Sequence, residues 1–366
     1  MDLDKYPMLK TYTVRENTGS LSSNRLHMQI SFAMMKLLEL YKQEDFTIVM
    51  DCIDDVAILK TTPSGSGIIT YQLKTKDEKS QIFELRDLVR KNVFYKLYDH
   101  IEKLDTHVKE IYLITNRALK YKQELVDAEH IHFKDLSEEI KVVITDNMSQ
   151  SESYATKGLS DKFVYSFIEL SPHSHKKVAE AKLNDFLVEE DIDLTLTAAK
   201  ALYRTILDIL LTKQDHEFSL KDEIKTVLNK KSYCKQEFQE LLNNTKEIND
   251  DSITYKDIIT LYKNGCKLPL KQESLYKRAL ASIKEKGNRY PNVLGVFNKR
   301  IQQYIISAID TDDDITREEL LEKSRELFHA ELEECDEKNM LGISESEEEI
   351  LYMQNIERVM EGEYYE

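Results

Sequence analysis

Asp51-Cys52-Ile53-Asp54-Asp55-Val56-Ala57-Ile58-Leu59, then Pro63-Ser64-Gly65-Ser66-Gly67, then Ile68-Ile69-Thr70-Tyr71-Gln72-Leu73-Lys74 decide how this chain is read. Two β-rich runs joined by a Pro/Gly/Ser cluster indicate a hairpin. Side chains alternate along a strand, so Gln72 and Lys74 share one face with Leu73 opposite. Pairing the strands can bring Asp55 beside them. A carboxylate, an amide oxygen and an ammonium gathered at one place suit a Mg²⁺-assisted attack of water on a phosphodiester. The plainer reading makes Asp54 and Asp55 turn residues, with Gln72 and Lys74 on a solvated strand face.

Composition frames both readings. The 366 residues leave room for two domains, and 41% hydrophobic content is ordinary for a globular chain. No apolar run is long enough to span a membrane, and Met1-Asp2-Leu3-Asp4-Lys5 lacks a signal-peptide pattern. Cys52, Cys234, Cys266 and Cys335 are scattered without a CxxC pair, which fits reduced thiols in a cytoplasmic protein rather than a disulfide framework or metal-thiolate cluster. The net charge is −16, yet residues 310–366 hold 21 acidic and 5 basic residues. The remaining 309 residues carry 46 of each sign and are neutral. An overall pI near 5.2 argues against a broadly basic nucleic-acid binder. The neutral body leaves room for charges segregated by folding.

Periodicity organises the rest. Leu26, Ile30, Ala33, Met34, Leu37, Leu38 and Tyr41 predict a helix over about 22–42, with Ser22 or Ser23 as cap. Residues 83–104 read as one or two helices, and Glu110–Asn116 as a buried strand ending in a polar corner. Further strands are expected at Lys141–Thr145 and Phe163–Leu170, with a polar loop over 146–161. After about Ser171 the strand signal disappears. Helices are expected near 175–188, 195–211, 220–229, 236–243, 255–262, 271–286, 294–309 and 317–334. The Glu345–Glu349 charge run reads as solvated surface or a mobile tail.

A preceding amphipathic helix, a Gly-containing hairpin and a following strand flanked by helices resemble the αβββαβ core of PD-(D/E)XK nucleases. Gly19, Gln29, Asp51, Asp54-Asp55-Val56, Tyr71-Gln72-Leu73-Lys74-Thr75-Lys76 and Thr115-Asn116 sharpen the likeness. Over about residues 10–200 the chain is similar to the double-stranded-DNA endonuclease domain of CD-NTase-associated anti-phage effectors. The same domain type is found on the nuclease subunit of Lamassu defence systems, which works with an SMC-like ATPase. The resemblance implies Asp55 as metal-binding carboxylate, Gln72 as second ligand in place of the usual Glu, and Lys74 as the group that orients water and stabilises developing charge. Asp54 is the alternative ligand, because a one-residue bulge would exchange the two positions. Asp51 shares the alternation parity of Asp55 and would add a carboxylate through water. The missing Glu charge implies weaker Mg²⁺ or Mn²⁺ binding without DNA.

The helical C-terminal half departs from the cyclic-nucleotide-activated effectors, whose sensing domain is mixed α/β, and favours the Lamassu-type subunit. The expected organisation is an α/β restriction-endonuclease-like domain over 1–200, a helical assembly or partner-docking domain over 201–341, and an acidic tail over 342–366. Leu202, Ile206, Leu207, Ile209, Leu210 and Leu211 give one helix more apolar surface than a single face needs, which predicts homo-oligomerisation or partner docking. The expected activity is metal-dependent cleavage of double-stranded DNA, restrained until a partner or assembly releases it. A non-catalytic nuclease-like scaffold and an RNase are the alternatives.

Other clusters carry weaker readings. His173 and His175 fit a polar helix start better than a metal site. His130 and His132 lack a further ligand at zinc spacing. Lys225, Lys230, Lys231 and Lys235, like Lys284, Lys286, Arg289, Lys299 and Arg300, fit either a DNA-binding or a solvated helix face. Gly65-Ser66-Gly67 is no phosphate loop, since no Gly-Lys-Ser/Thr follows.

Overall fold

Three apolar runs separated only by turn sequences become three consecutive antiparallel strands. The computed structural model describes residues 5, 6, 9, 12, 23–43, 45–62, 65–76, 82–104, 107–149, 162–171, 173–219, 222–249, 255–262, 269–311, 315–332 and 335–362. Gly19, Pro63, Ser64, Cys266 and most of the expected 146–161 loop lie outside the described residues. Helix α1 (Ser23–Leu40) precedes β1 (Phe46–Met50), β2 (Val56–Thr62) and β3 (Gly65–Lys74). Strand β4 (Ile82–Glu84) and helices α2 (Leu85–Arg90) and α3 (Val93–Leu104) lead to β5 (Val108–Thr115). This is the expected αβββαβ core. Then come β6 (Ala118–Tyr121), β7 (Glu124–Val126), β8 (Ile131–His132), α4 (Glu138–Met148), β9 (Phe163–Phe167), α5 (His175–Glu189), α6 (Leu196–Asp215), α7 (Ile224–Lys231) and β10 (Ser232–Cys234).

The main sheet runs β10-β1-β2-β3-β5-β9-β8, and β4-β6-β7 form a second. Strands β3, β5 and β9 are parallel, so β5 lies centrally and buried, as its apolar run requires. Ala57, Leu59 and Ile68 join Phe94, Leu97 and Ile101 of α3 in one core. On the other face Phe32 of α1 packs edge-on to Tyr71 at 5.2 Å. Buried His175 opens α5, its Nδ1 2.7 Å from Ser31 Oγ, and burial lowers its pKa to about 4. It is a packed core histidine, and His173 is exposed.

Two expectations are corrected here. Lys141–Thr145 is helical, within α4, although Val142, Val143, Ile144 and Thr145 favour strand. Ser137 accepts from Ile140 N at the helix start, and Ile140, Ile144 and Met148 form one buried stripe. A strand does occur after Ser171: β10 pairs antiparallel with β1, Tyr233 opposite Ile48. The described chain falls into two compact units. One unit comprises Met1–Glu189 with Ile206–Phe238, and the other Glu190–Thr205 with Gln239–Glu366.

The second unit holds helices α8 (Lys235–Asn249, in part), α9 (Tyr255–Tyr262), α10 (Leu270–Arg289), α11 (Pro291–Ile309), α12 (Arg317–Leu332), α13 (Asp336–Leu341) and α14 (Glu345–Met360). Residues 342–362 are therefore not a solvated tail. Gly342 ends α13 at φ +58, a conformation glycine adopts freely. Ser344 and Glu347 then form a reciprocal capping box that starts α14. Ile350, Leu351, Tyr352, Met353 and Ile356 are fully buried with residues of α9 to α12. The acids are bound internally: Glu347 to Lys286 at 2.8 Å, Glu348 to Lys338 at 2.7 Å, and Glu357 to Arg317 at 2.9 Å and the Tyr262 hydroxyl at 2.6 Å. Lys286 and Arg300, which pairs with Glu337 at 3.4 Å, are thus not a free basic face.

Burial pushes the Glu347 pKa up, but hydrogen bonds from Lys286, Ser282 and Ser344 outweigh it and hold the group at about 2, against 4.5 ordinarily. A lowered folded pKa adds stability that is complete above the unfolded value and lost as pH falls toward the folded one. The helical unit is expected to lose up to about 3 kcal/mol between pH 4.5 and 2 from this group. Acid titration of chemical-denaturation midpoints checks this, with Glu347→Gln flattening the curve.

In α6, Leu202, Ile206 and Leu210 are buried and Leu207, Ile209 and Leu211 half-buried, leaving less apolar surplus than the sequence suggests. Among the described residues no helix is long and apolar enough to cross a membrane.

Candidate active site

The five residues between β1 and β2 set the site. The ladder ends at Met50 opposite Val56, so residues 51–55 form a turn, not the start of a strand. Asp51 adopts φ +43 and its N–H donates to the Asp55 carbonyl at 3.1 Å. Cys52 and Ile53 are buried in the core, and burial pushes the Cys52 thiol up to about 12, leaving it inert. The parity argument for Asp51 therefore fails, because the turn interrupts alternation. Asp51 nevertheless reaches the same cleft as Asp55.

Val56, the first residue of β2, lies opposite Tyr71, and the side chain of the preceding Asp55 meets that of Gln72. Gln72 Nε2 donates to Asp55 Oδ2 at 2.5 Å, and the Leu73 N–H donates to the same oxygen at 2.6 Å. Lys74 ends β3. A cleft of about 260 Å³ is lined by Leu26, Gln29, Asp51, Asp55, Leu73, Lys74, Thr75, Lys76, Phe83, Leu88, Lys91 and Gln214. Burial raises the Asp55 pKa to about 6, with Lys74 opposing the rise and Asp54 adding to it. Asn116 holds the chain beyond β3: its Oδ1 accepts from Lys76 N at 2.8 Å and its Nδ2 donates to Lys76 O at 3.0 Å. Lys76 Nζ donates to Ile82 O at 2.8 Å and lies 4.7 Å from the Phe83 ring centre.

The structure thus brings Asp55, Lys74 and Asp51 to one cleft, with Gln72 bonded at its edge. Asp54 is placed elsewhere. Its Oδ1 accepts the Asp55 N–H at 2.9 Å, and its Oδ2 sits 3.3 Å from His100 Nε2, outside the cleft lining. The two acids are neighbours in one turn, and their side chains are engaged by different partners.

Residues distant in sequence complete the site. Gln214 Nε2 donates to Gln29 Oε1 at 2.5 Å. Lys231 is buried, donates to Gln214 O at 3.1 Å and lies 3.8 Å from Asp51 Oδ2. Burial shifts both members of this pair toward neutrality, raising the Asp51 pKa and lowering that of Lys231. Their contact is too long to offset desolvation. Lys225 and Lys230 are exposed, so Lys231 stands apart from the supposed basic face. Lys235 instead donates to Gln43 O at 2.7 Å. No short-range pattern announced Gln214, Lys231 or His100; each arrives through tertiary contact.

The donor set fits a hard divalent cation. Such ions take carboxylate, amide and water oxygens, and Asp55, Gln72 and Asp51 supply two carboxylates and an amide. Among the described residues no three His, Cys, Asp or Glu side chains gather as a ligand group. His130 and His132 approach to 3.3 Å between Nε2 atoms without a third ligand.

A parallel-centred sheet with an Asp–Gln–Lys constellation at the end of its hairpin is a restriction-endonuclease-like nuclease core. Residues 17–214 match the family model for the Cap4 dsDNA endonuclease domain. Lamassu protein LmuA of Bacillus cereus (strain VD014) is 54% identical over 357 residues, 98% of each chain. The chain belongs to the family of Cap4-type dsDNA endonuclease domains and, along nearly its full length, groups with LmuA. Among solved structures, the Acinetobacter baumannii Cap4 SAVED/CARF-domain containing receptor with the cyclic trinucleotide 2'3'3'-cAAA aligns at 12% identity and TM-score 0.38, covering 71% of this chain and 58% of that one. That likeness is too distant to inform the fold.

Proposed function

We propose that this chain is the DNA-cleaving effector subunit of a Lamassu-type anti-phage defence system, a cytoplasmic endonuclease that uses Mg²⁺ or Mn²⁺. The convergence of Asp55 and Lys74 in one cleft, with Gln72 bonded to Asp55 at its edge, carries the reading. Asp55 and Gln72 would hold the cation, with Asp51 contributing through water. When bound, the cation would lower the pKa of water and neutralise charge on the phosphoryl oxygens. Lys74 orients the attacking water and stabilises the negative charge that develops on the phosphate. Lys76 and Lys91 line the approach for the flanking backbone.

The hydrogen bonding supports a restrained resting state. Gln72 offers its N–H₂, not its carbonyl, to Asp55, and Asp51 is paired with Lys231. Amide oxygen and nitrogen are assigned from such networks, and rotation of the terminal torsion exchanges them. Restraint is chemically necessary, since an unregulated DNase would cut its host's chromosome. Release would come from an SMC-like ATPase or from assembly of several copies, which would also place two active centres on the two strands of a duplex.

Supercoiled plasmid, the purified chain and its SMC-like partner test the reading. Nicking or linearisation with Mg²⁺ or Mn²⁺ and none with chelator is expected. Cleavage of RNA alone, or duplex binding without cleavage under every assembly condition, would overturn it.

A further inference from the structure

Asp54 and His100 form a buried polar pair immediately behind the site. Their side chains are only 5% and 8% exposed. Asp54 Oδ1 takes the backbone N–H of Asp55 at 2.9 Å. Its Oδ2 meets His100 Nε2 at 3.3 Å, off the line of a full hydrogen bond, and His100 Nδ1 is buried with no hydrogen-bond partner. Burying a carboxylate against an imidazole with unmet capacity costs stability, so an apolar pair would serve a merely structural role better.

We propose that Asp54 and His100 are the positioning residues of the metal site: they fix the backbone of Asp55 and thereby its carboxylate. Three kinds of contact hold Asp55. Its N–H is held by Asp54, its carbonyl by the Asp51 N–H at 3.1 Å, and its carboxylate by Gln72 and Leu73. Only the first is tied to a helix. His100 lies on α3, whose Phe94, Leu97 and Ile101 are locked into the core, so the pair refers Asp55 to a rigid element. Without it the 51–55 turn, already carrying Asp51 in the left-handed region, is free to relax and turn the carboxylate out of register. Outer contacts of this kind change metal affinity by about 10- to 100-fold when removed.

The inference rests on Asp55 binding the cation, and the test separates the two claims. Mn²⁺ dissociation constants are measured calorimetrically on the full chain without DNA, beside duplex affinity in chelator and thermal unfolding. Asp54→Ala/His100→Leu, which removes both polar groups together, is expected to fold, to bind duplex as the wild type does, and to bind Mn²⁺ about tenfold more weakly. His100→Gln, which keeps a donor near the Nε2 position, is expected to lose less than the about tenfold that marks the smaller end of such effects. Unchanged Mn²⁺ affinity in the folded double variant overturns the positioning role. If Asp55→Ala also leaves Mn²⁺ binding intact, the metal-site reading itself falls. Should the double variant not fold, Mg²⁺ titration of the wild type decides. A shift of the His100 ring nitrogens in step with the Asp55 amide supports the pair, and a His100 ring unmoved at saturation overturns it.

Discussion

Lys74→Ala is expected to lower DNA cleavage by about a hundred- to a thousandfold while leaving folding and duplex affinity unchanged, since one preorganised electrostatic group commonly contributes about 10²–10³ in rate. Lys74 is half-buried at the end of β3, where no core packing depends on its ammonium. Its positive charge opposes the rise in the Asp55 pKa. Removing it withdraws stabilisation realised as charge develops on the phosphate, so the loss belongs in kcat with KM little changed. Asp55→Ala is expected to match that loss and also to weaken Mn²⁺ binding. It leaves the Gln72 and Leu73 N–H groups without their acceptor, but beside a cleft open to water, at a cost of about 1 kcal/mol. Single-turnover cleavage of a labelled duplex checks both variants. Full cleavage by folded Lys74→Ala protein would remove Lys74 from the mechanism.

Truncation after Leu341 is expected to unfold the helical unit. The charge count invites the opposite view, because the cut removes eight acids and one base. It also removes Ile350, Leu351, Tyr352, Met353 and Ile356, all buried to 2% exposure or less. Each such side chain contributes about 2 kcal/mol or more, so their sum approaches the whole 5–15 kcal/mol stability of a typical domain. The cut further strands Arg317 and the Tyr262 hydroxyl, which both bind Glu357. Limited proteolysis and thermal denaturation read the result. A truncated chain that keeps the wild-type helical transition would restore the detachable-tail view.

What the sequence revealed and concealed follows from the range of the interactions. Helix α1, the β2–β3 hairpin and β5 were legible because each carries its own periodicity. The Asp55–Gln72–Lys74 grouping was legible because hairpin register is a local property. The 51–55 turn was not: Cys52 and Ile53 are apolar among acids and mimic strand alternation, while their burial comes from the core around them. Lys141–Thr145 looked like a strand for its β-branched residues until the wider stripe and the Ser137 cap were counted. In α14 the capping box and apolar spacing were present, but the run Glu347-Glu348-Glu349 suggested solvent. Its acids are instead paired by Lys286 and Lys338 from other helices, partners no local window contains. His100, Gln214 and Lys231 likewise come near these residues only through long-range tertiary contacts.

Gln72→Glu tests most directly whether Asp55 and residue 72 hold the cation. A further carboxylate in the donor set should strengthen Mn²⁺ binding by about tenfold or more, since charge count tunes such sites strongly. The cation-free protein should lose stability, because the Gln72 Nε2 donor at 2.5 Å from Asp55 becomes a second anion. Calorimetric Mn²⁺ titration of the wild type and this variant, with unfolding measured in chelator, reads both effects together. Tighter binding with a less stable cation-free state is the expected result. Equal Mn²⁺ affinity in the two folded proteins would contradict a metal site at Asp55 and Gln72.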